Sequence, residues 1–362
     1  MKPNKNVCFV VGTLGQGGAE RQLYYMLKSL REQGESPRVL CLTQGEFWEE
    51  RIQKLGVPVT WVGQSGSFFS RLSRIISEVR NDPPGLLQSA HFYTNLYVLV
   101  TAGIVGLPGI GAMRNDGDSE VKETGKIGGW LCLHGPRVVA ANSRAALEFA
   151  RAQGIPSSRL YFLPNVVDTD YLKPSDKLNE NPVKLFAVGR LAKQKNLDRY
   201  LRVLDRLQKK TQVPFMGVIV GDGPLRPQLE AQATRLGLFP GAVSFRGKLS
   251  DISEAYREAD VLVLTSDHEG TPNVVLEAMS CGLPVVATRV GGVADIVRHG
   301  ETGYLFEPED EDGMVSALSE LVAQPSLRRK IGAQARDFIQ QRHALARLPE
   351  YLGGLYDRTL SY

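Results

Sequence analysis

The sequence is poor in cysteine, which limits the kinds of site that it can build. Its four cysteines are Cys8, Cys41, Cys132 and Cys281, and no two of them form a Cys-x-x-Cys pair. A zinc site of the usual spacing is therefore not expected. We predict reduced thiols in the core of a cytoplasmic protein, because disulfides are rare in that compartment.

A large excess of charge of one sign is also lacking. Across 362 residues the formal net charge is +4, and no block of Lys and Arg stands out. Nucleic-acid-binding surfaces are usually concentrated basic patches, so no nucleic-acid partner is predicted. The small positive surplus fits an anionic small molecule or an anionic membrane surface and does not decide between them.

Long apolar runs are missing as well. The run Val7–Val11 is too short for the apolar core of a secretory signal. The segment 96–113 is interrupted by the turn sequence Gly106-Leu-Pro-Gly109, which predicts a helix to about Val105 and then a strand at Ile110–Met113. We therefore expect no transmembrane helix and a cytoplasmic location.

The chain does contain a regular alternation of short apolar runs and amphipathic segments. A length of 362 residues suggests two domains. Continuous apolar runs such as 215–220 and 261–264 are typical of parallel strands that are covered on both faces. The predicted fold is α/β, with two doubly wound parallel-sheet domains facing across a cleft.

The domain boundary is predicted from the polar linker that follows Leu163–Pro174. The first domain is expected at 1–170 and the second at 180–344. The final segment, about 345–362, is helical in pattern and is expected to pack back on the first domain. The predicted strands are 7–12, 38–43, 58–62, 85–89, 110–113 and 138–141 in the first half, and 184–188, 215–220, 243–245, 261–265, 284–288 and 304–306 in the second.

The most informative stretch is 266–288, which reads as a strand end, a loop, a helix start and a second strand. Glu269 lies in the loop, and Glu277 lies inside the helix after seven intervening residues. Pro272 and Asn273 are natural first residues of a helix, whose free amide groups favour an anion. This arrangement indicates a sugar nucleotide: one carboxylate for ribose hydroxyls, another for sugar hydroxyls, and amides for phosphates.

Basic residues follow another predicted strand end, at Gly189-Arg-Leu-Ala-Lys-Gln-Lys-Asn196. Arg190 and Lys195 could neutralise a departing diphosphate, because open α/β sheets bind ligands at the carboxyl ends of their strands. Lys193 is interpreted as a surface residue. Arg246, at the end of a further strand, is predicted to lie near the nucleobase.

A glycine-rich loop precedes the first predicted helix, at Gly12-Thr-Leu-Gly-Gln-Gly-Gly-Ala-Glu20. Gly17 and Gly18 would let the backbone approach a ligand at the start of a helix. The loop is neither a P-loop nor a Gly-x-Gly-x-x-Gly fingerprint, which argues against a dinucleotide. An ordinary strand–helix turn explains it equally well.

Taken together, these motifs resemble those of the retaining glycosyltransferases of family 4, which have the GT-B fold of two Rossmann-like domains. The resemblance runs almost from end to end, and its most specific part is the pair of glutamates. Its motifs lie at 17–20, 164–168, 189–196, 221–224, 269–277, 281–288, 291–292 and 300–303.

The resemblance implies transfer of a sugar from a UDP- or GDP-linked donor to a glycan or lipid-linked acceptor, without a cofactor or a metal ion. Glu269 would hold the donor sugar and Glu277 the ribose. Gly17 and Gly18 would approach the donor from the first domain. The donor diphosphate and its surroundings would be held by Gly189, Arg190, Lys195, Gly270, Thr271, Asn273 and Val274.

One position departs from the family pattern. Many members have a histidine after the strand that corresponds to Ile110–Met113, whereas this chain has Arg114. Either Arg114 faces the donor as a cation, or that contact is missing. His91 ends the preceding strand and is a second candidate for an active-site role, with a structural role as the alternative.

Membrane contact and rival functions stay open at this point. Family members often bind membranes peripherally through a basic, amphipathic face of the first domain, and Ser67–Arg80 has such a pattern. An ordinary core-facing helix explains that pattern better, and interfacial binding at the inner membrane face is the alternative. Rival functions are an inactive binding protein of the same fold, a nucleotide-sugar epimerase and a phosphorylase.

Overall fold

The computed structural model describes residues 6–64, 66–175, 182–249 and 251–362. The chain divides into two compact units. Unit 1 comprises Met1–Val166 and Ala346–Tyr362, and unit 2 comprises Val167–Leu345. The sequence had predicted the first break at about 170 and the return of the chain at about 345.

Unit 1 is built on a single parallel sheet. Its strands are β1 (Val7–Val11), β2 (Arg38–Cys41), β3 (Val59–Trp61), β4 (Leu86–Ser89), β5 (Gly109–Met113), β6 (Val138–Ala141) and β7 (Leu160–Phe162). They lie in the order β3-β2-β1-β4-β5-β6-β7. The chain starts in the middle of the sheet, moves to one edge and then crosses to the other, which is the doubly wound pattern. The helices are α1 (Gly18–Glu32), α2 (Glu49–Lys54), α3 (Phe68–Asn81), α4 (Asn95–Val105), α5 (Asp118–Thr124), α6 (Lys126–His134) and α7 (Arg144–Ala152).

Unit 2 has the same architecture with one strand fewer. Its strands are β8 (Val183–Val188), β9 (Phe215–Val220), β10 (Val243–Gly247), β11 (Val261–Leu264), β12 (Val285–Thr288) and β13 (Gly303–Phe306). They form a parallel sheet in the order β10-β9-β8-β11-β12-β13. The helices are α8 (Leu197–Lys210), α9 (Arg226–Arg235), α10 (Ile252–Glu258), α11 (Asn273–Ser280), α12 (Val293–Ile296), α13 (Glu311–Ala323) and α14 (Pro325–Arg342).

The last helix, α15 (Leu348–Ser361), belongs to unit 1. Its Tyr356 hydroxyl lies 3.0 Å from Oε1 of Gln88 on β4, and both side chains are buried. Arg358 donates to the carbonyl oxygen of Leu160 at 2.6 Å. The C-terminal helix is therefore held to the sheet by polar contacts as well as by its apolar face.

The cores of both units are built around buried apolar strands. Every residue of β1, β5, β6, β11 and β12 is buried, as expected of parallel strands that have helices on both faces. The α/β doubly wound prediction is thus confirmed for each unit. The four cysteines are buried and unpaired, as predicted.

The sequence missed β7, a strand of three residues at the edge of the sheet of unit 1. Only Leu160 of this strand is buried, and the short apolar stretch 160–163 runs directly into the segment that was interpreted as a linker. Among the described residues, no helix combines the length and the apolar character that crossing a bilayer requires.

Candidate active site

The site in unit 2 is centred on an ion pair between two residues that the sequence had singled out separately. Nζ of Lys195 lies 2.5 Å from Oε1 of Glu269, and the hydroxyl of Ser266 donates to the same oxygen at 2.6 Å. Lys195 follows β8 and Glu269 follows β11, which are neighbouring strands. Because parallel strands end at the same edge of a sheet, the two loops meet there.

Backbone and side-chain contacts fix the loop that carries Lys195. Asn196 has a left-handed backbone with φ of 41°, and its side chain caps α8 by accepting from the amide of Arg199. The side-chain amide of Asn196 donates to both carboxylate oxygens of Asp267 at 3.0 Å. Arg199 donates to Asp267 at 2.9 Å and to the carbonyl of Thr265 at 2.7 Å. These contacts join the loop after β8 to the loop after β11.

A glycine supports Glu269 from the other side. Gly291 has φ of +48°, and a Cβ atom there would overlap the carbonyl oxygen of Glu269. The next amide, that of Gly292, donates to the carbonyl of Gly270 at 2.8 Å. Only glycine combines this φ with so close an approach, so the loop after β12 packs directly against the backbone of Glu269 and Gly270.

Arg190 lies on the same loop as Lys195 but is not part of the ion pair. Its side chain is exposed, and it has no ion pair or side-chain hydrogen bond within the described parts of the chain. Gly189, with φ of +149°, is covered by the aliphatic stem of Lys195, whose Cε would lie 3.3 Å from a Cβ at that position. Of the two cations predicted to hold the diphosphate, Lys195 is paired with Glu269, and Arg190 has no ion pair among the described residues.

The helix that follows Glu269 begins where the sequence predicted. Pro272 is the N-cap of α11, and no side chain caps this end. Gly270 and Thr271 are buried, whereas Asn273 and Val274 are half-buried. A helix N-terminus suits an anion, because the positive end of the helix dipole lies there.

Glu277 lies inside α11 and is only 4% exposed. The hydroxyl of Tyr256, on α10, donates to its Oε2 at 2.8 Å. The two predicted glutamates thus have different surroundings. Glu269 forms an ion pair with Lys195, and Glu277 accepts a hydrogen bond from the buried hydroxyl of Tyr256.

Arg246, near the carboxyl end of β10, has an ion pair of its own. Its guanidinium lies 2.9 Å from the carboxylate of Glu258, at the end of α10. Lys184, at the start of β8, contacts the same carboxylate at 3.2 Å. The contact of Arg246 with a nucleobase stays a prediction.

In unit 1 the glycine-rich loop after β1 is held by a carboxylate that the sequence analysis did not identify. Glu46 accepts from the hydroxyls of Thr13 at 2.7 Å and Thr43 at 2.6 Å, and from the amide of Leu14. Partial burial opposes ionisation of Glu46, but these hydrogen bonds outweigh it and hold its pKa below the usual range. Glu46 is therefore an anion that fixes the loop.

The loop ends at Gly17, the N-cap of α1, and continues into Gly18. A Cβ on Gly17 would meet the carboxylate of Glu20. Glu20 was visible in the sequence as the last residue of Gly-Gly-Ala-Glu, but its contacts were not predictable. The glycine leaves room for this buried carboxylate beneath the loop.

His91, after β4, has both ring nitrogens engaged within the protein. The amide of Gly12 donates to Nδ1 at 3.2 Å, and Nε2 lies 3.0 Å from Oε1 of Glu20. Since Nδ1 accepts, the ring proton belongs on Nε2, which donates to Glu20. This geometry is that of a residue that positions the glycine-rich loop, which matches the structural alternative for His91.

Arg114 follows β5, at the same edge of the sheet. It is half-buried, and its Nη2 is shielded from solvent with no hydrogen-bond partner among the described residues. Burial lowers the pKa of its guanidinium to about 10, so the group stays charged at neutral pH. Glu120, on α5, accepts from the amide of Arg114 at 2.9 Å.

The described residues contain no group of three or more His, Cys, Asp or Glu side chains placed to hold a metal ion. Sequence patterns gave no sign of Ser266, Arg199, Glu46 or Glu120 as parts of either site. Asp267 and Asn196 lie inside the quoted motifs, but their pairing depends on the meeting of two loops that are about 70 residues apart.

Comparison with known proteins assigns the family. The family described as glycosyl transferases group 1 matches residues 168–338, and glycosyltransferase family 4 matches residues 16–171. The two matches follow one another along the chain and divide it close to the boundary between units 1 and 2.

Curated relatives point the same way. The chain is 27% identical over 350 residues to a sulfoquinovosyl transferase of Arabidopsis thaliana, covering 88% of this chain and 66% of the relative. It is 34% identical over 230 residues to a GDP-mannose-dependent α-(1-6)-phosphatidylinositol monomannoside mannosyltransferase of Mycolicibacterium smegmatis, covering 57% of this chain and 59% of the relative. The matches thus span less than two thirds of these relatives' lengths.

Solved structures confirm the fold. HepE of Anabaena, solved in complex with UDP-glucose, matches with a TM-score of 0.85 at 20% identity over 97% of this chain and 99% of that one. At this level of identity the likeness shows the fold alone. Together with the two family matches, it establishes that the chain belongs to glycosyltransferase family 4 and has the GT-B fold.

Proposed function

We propose that the protein is a retaining glycosyltransferase that moves a sugar from a UDP- or GDP-linked donor to a glycan or lipid-linked acceptor. Such a reaction would serve the synthesis of surface polysaccharide or glycolipid. The observation that carries the proposal is the contact of Lys195 with Glu269 beside the unpaired Arg190. This contact supports a role for the cations in binding a diphosphate and for the carboxylate in accepting from sugar hydroxyls.

The cations suit the diphosphate of the donor. Lys195 uses one of its three N–H donors on Glu269, which leaves the other two for phosphate oxygens. Arg190 adds a planar fork of donors that fits two phosphate oxygens at once. The N-terminus of α11 adds the positive end of a helix dipole without adding a full charge.

The same groups explain how the reaction would be accelerated. As the bond between the anomeric carbon and the diphosphate breaks, negative charge grows on the departing phosphate oxygens. Cations already held in place stabilise this charge more in the transition state than in the bound substrate. Glu269, fixed by Ser266 and Lys195, would orient the sugar by accepting from its hydroxyls, and Glu277 would accept from the ribose.

Two other functions of the same fold make different predictions. A binding protein without activity would retain nucleotide binding and release no nucleoside diphosphate. An epimerase or phosphorylase would convert the donor without consuming an acceptor hydroxyl. The retained cations and carboxylates of unit 2 favour transfer over a site that has lost its chemistry.

The lipid-linked class of acceptor is supported by an exposed apolar surface on unit 1. Phe69 on α3 is 79% exposed and Ile104 on α4 is 50% exposed, and with Arg80 they border a groove of about 480 Å³. The apolar side of Ser67–Arg80 was predicted to face the core. Ile75 and Val79 do so and are fully buried, whereas Phe69 does not. We propose that this surface contacts anionic lipid, because aromatic and basic residues together favour that interface.

Vesicle co-sedimentation tests the lipid contact. Vesicles containing phosphatidylglycerol should retain the wild-type protein better than Phe69→Ser, whereas Phe239→Ser, at an exposed aromatic residue of unit 2, should behave as the wild type does. Equal retention of all three proteins would refute the contact.

A donor screen tests the main proposal. The wild-type protein would be incubated with UDP- and GDP-linked sugars, and the release of nucleoside diphosphate would be followed. ¹H NMR of the freshly released or transferred sugar would give its anomeric configuration. We expect one donor to be consumed with the anomeric configuration retained. An inverted product, or an isomerised donor with no diphosphate released, would contradict the proposal.

A further inference from the structure

A cavity of about 420 Å³ lies within unit 2. Two residues of its wall, Asp260 and Pro284, directly precede β11 and β12, so the cavity lies at the amino ends of these strands. Lys195 and Glu269 instead follow the carboxyl ends of β8 and β11. Because these strands are parallel, the cavity and the candidate active site lie at opposite edges of the sheet.

Arginine dominates the charge of the cavity wall. The wall contains four arginines and two aspartates, which leaves a formal surplus of two positive charges. The six residues are Arg257, Asp260, Arg328, Arg329, Arg336 and Asp337. Helix α14 carries Arg328 and Arg329 and has no acidic residue in its first turn to offset them. Like charges placed together around a cleft favour the entry of an anion.

Two of these arginines are held in place by the ends of helices. Arg336 donates to the carbonyl oxygen of Ser280, the last residue of α11. Arg328 donates to the carbonyl oxygen of Leu321, in the last turn of α13, at 2.5 Å. Nε of Arg328 also lies 4.0 Å from Oδ1 of Asp260. No other carboxylate of the described residues lies within ion-pair distance of the four arginines, so their charges are largely uncompensated.

The other two arginines have N–H groups available to a ligand. Arg329 is exposed and makes no hydrogen bond or ion pair within the part of the chain that the structure describes. Arg257 donates to the hydroxyl of Ser253 at 2.6 Å and keeps further N–H groups. Burial lowers the pKa of Arg328, Asp260 opposes that shift, and the like charge of Arg329 adds to it. A bound anion would relieve this repulsion.

The charge of the wall matches that of a phosphate monoester. Such a group carries a charge of about −1.5 to −2 at pH 7. Its oxygens accept in pairs from the planar fork of a guanidinium, a geometry that favours arginine over lysine. The volume lies within the range of about 300–1,000 Å³ that is typical of small-molecule sites, and it leaves room beyond a phosphate group.

The rest of the wall suits the organic part of such a ligand. Leu283, Pro284 and Pro325 supply apolar surface. Asp337 accepts from the side-chain amide of Gln341 at 2.8 Å, and its carboxylate can accept further from a hydroxyl group. We propose that this cavity binds the phosphate monoester of a small hydroxylated molecule, such as a polyol or a sugar. The inference does not depend on the proposed function.

Isothermal titration calorimetry with ribose 5-phosphate and glycerol 3-phosphate tests the site, with inorganic phosphate and ribose as reference compounds. The wild type should bind at least one of the esters, more tightly than inorganic phosphate, and should not bind ribose. Arg329→Gln should weaken this binding about tenfold, because it removes a charged pair of donors. Its melting curve should match that of the wild type, since Arg329 makes no hydrogen bond with any described residue. Lys330→Gln, at an exposed cation of α14 outside the cavity wall, is the matched control.

Two more variants locate the binding. Arg257→Gln, on the opposite side of the cavity wall in α10, should also weaken it about tenfold. Lys195→Met should bind the ester as tightly as the wild type does, because Lys195 lies at the other edge of the sheet. Arg329→Gln should in turn leave the affinity for UDP and GDP unchanged.

Several results would overturn the inference. One is that neither ester binds the wild type, and another is that inorganic phosphate binds as tightly as the esters do. Unchanged affinity in both Arg329→Gln and Arg257→Gln would also contradict it. Loss of ester binding in Lys195→Met would show that the esters occupy the candidate active site instead. If the wild type binds an ester but neither UDP nor GDP, the proposed function fails and the inference stands.

Discussion

Neutralising Glu269 should separate nucleotide binding from sugar transfer. In the structure Glu269 shares its Oε1 between Lys195 and Ser266. Glu269→Gln keeps an oxygen for both donors but removes the negative charge. A diphosphate that binds Lys195 would then no longer be repelled by a neighbouring carboxylate. We therefore expect this variant to bind UDP or GDP more tightly while its turnover falls.

The size of the effect follows from the geometry. The Nζ–Oε1 distance is 2.5 Å, and a phosphate oxygen bonded to the same ammonium group at about 2.8 Å would lie about 4 Å from Oε1. Coulomb's law with an effective dielectric constant of about 20 gives about 4 kcal/mol of repulsion at that distance. Solvent reaches Lys195, whose side chain is 19% exposed. Screening should leave about 1–2 kcal/mol, or about tenfold tighter binding.

Isothermal titration calorimetry with UDP and GDP measures the binding, and release of the diphosphate from the accepted donor measures turnover. Turnover should fall by about 100-fold or more, because the sugar loses a charged hydrogen-bond acceptor. Glu309→Gln, at an exposed glutamate of unit 2, should change neither quantity. If Glu269→Gln bound the diphosphate more weakly than the wild type, Glu269 would not be the competitor for Lys195 that the structure indicates.

Further predictions concern the cations, the buried acid and the glycine contact. Lys195→Met and Arg190→Met should each weaken UDP or GDP binding about 10-fold or more by calorimetry, whereas Lys193→Met, an exposed lysine in the same turn, should not. Burial raises the pKa of Glu120 from its ordinary value of 4.5 to about 7. Because the folded state holds this proton more tightly than the unfolded state does, the free energy of unfolding of the wild type should fall as pH rises from 4.5 to 7. Relative to Glu120→Gln, which does not titrate, the loss should reach up to about 3 kcal/mol. Urea unfolding of both proteins at pH 5 and pH 8 measures this difference. An unchanged difference would show that Glu120 titrates normally. Gly291→Ala should lower the melting temperature and donor affinity together, since its Cβ would displace the backbone of Glu269; a wild-type melting curve would contradict that packing.

The fold of each unit could be predicted from the sequence, because parallel strands that are covered on both faces are continuous apolar runs. It also located the strand ends where Arg190, Lys195 and Glu269 lie, since parallel strands share one ligand-binding edge. β7 was missed because its apolar stretch, 160–163, is short and leads directly into the segment that was interpreted as a linker. Helix starts were predictable at α11, where Pro272 and Asn273 are local signals.

Pairing between side chains was not predictable in the same way. Lys195 and Glu269 are 74 residues apart, and Arg246 pairs with Glu258 on α10. These partners depend on loop paths that no local pattern encodes. His91 shows the same limit: its position after β4 suggested a reactive group, but Gly12 and Glu20 occupy both of its nitrogens.

The central claim is that the edge of unit 2 around Lys195 binds the diphosphate of a nucleotide sugar. Calorimetric titration of UDP and GDP into the wild-type protein and Lys195→Met tests it most directly, with Lys193→Met as the control. We expect saturable binding of at least one nucleotide by the wild type and the control, and binding at least about tenfold weaker in Lys195→Met. Equal affinity in all three proteins, or no binding of either nucleotide to the wild type, would contradict it.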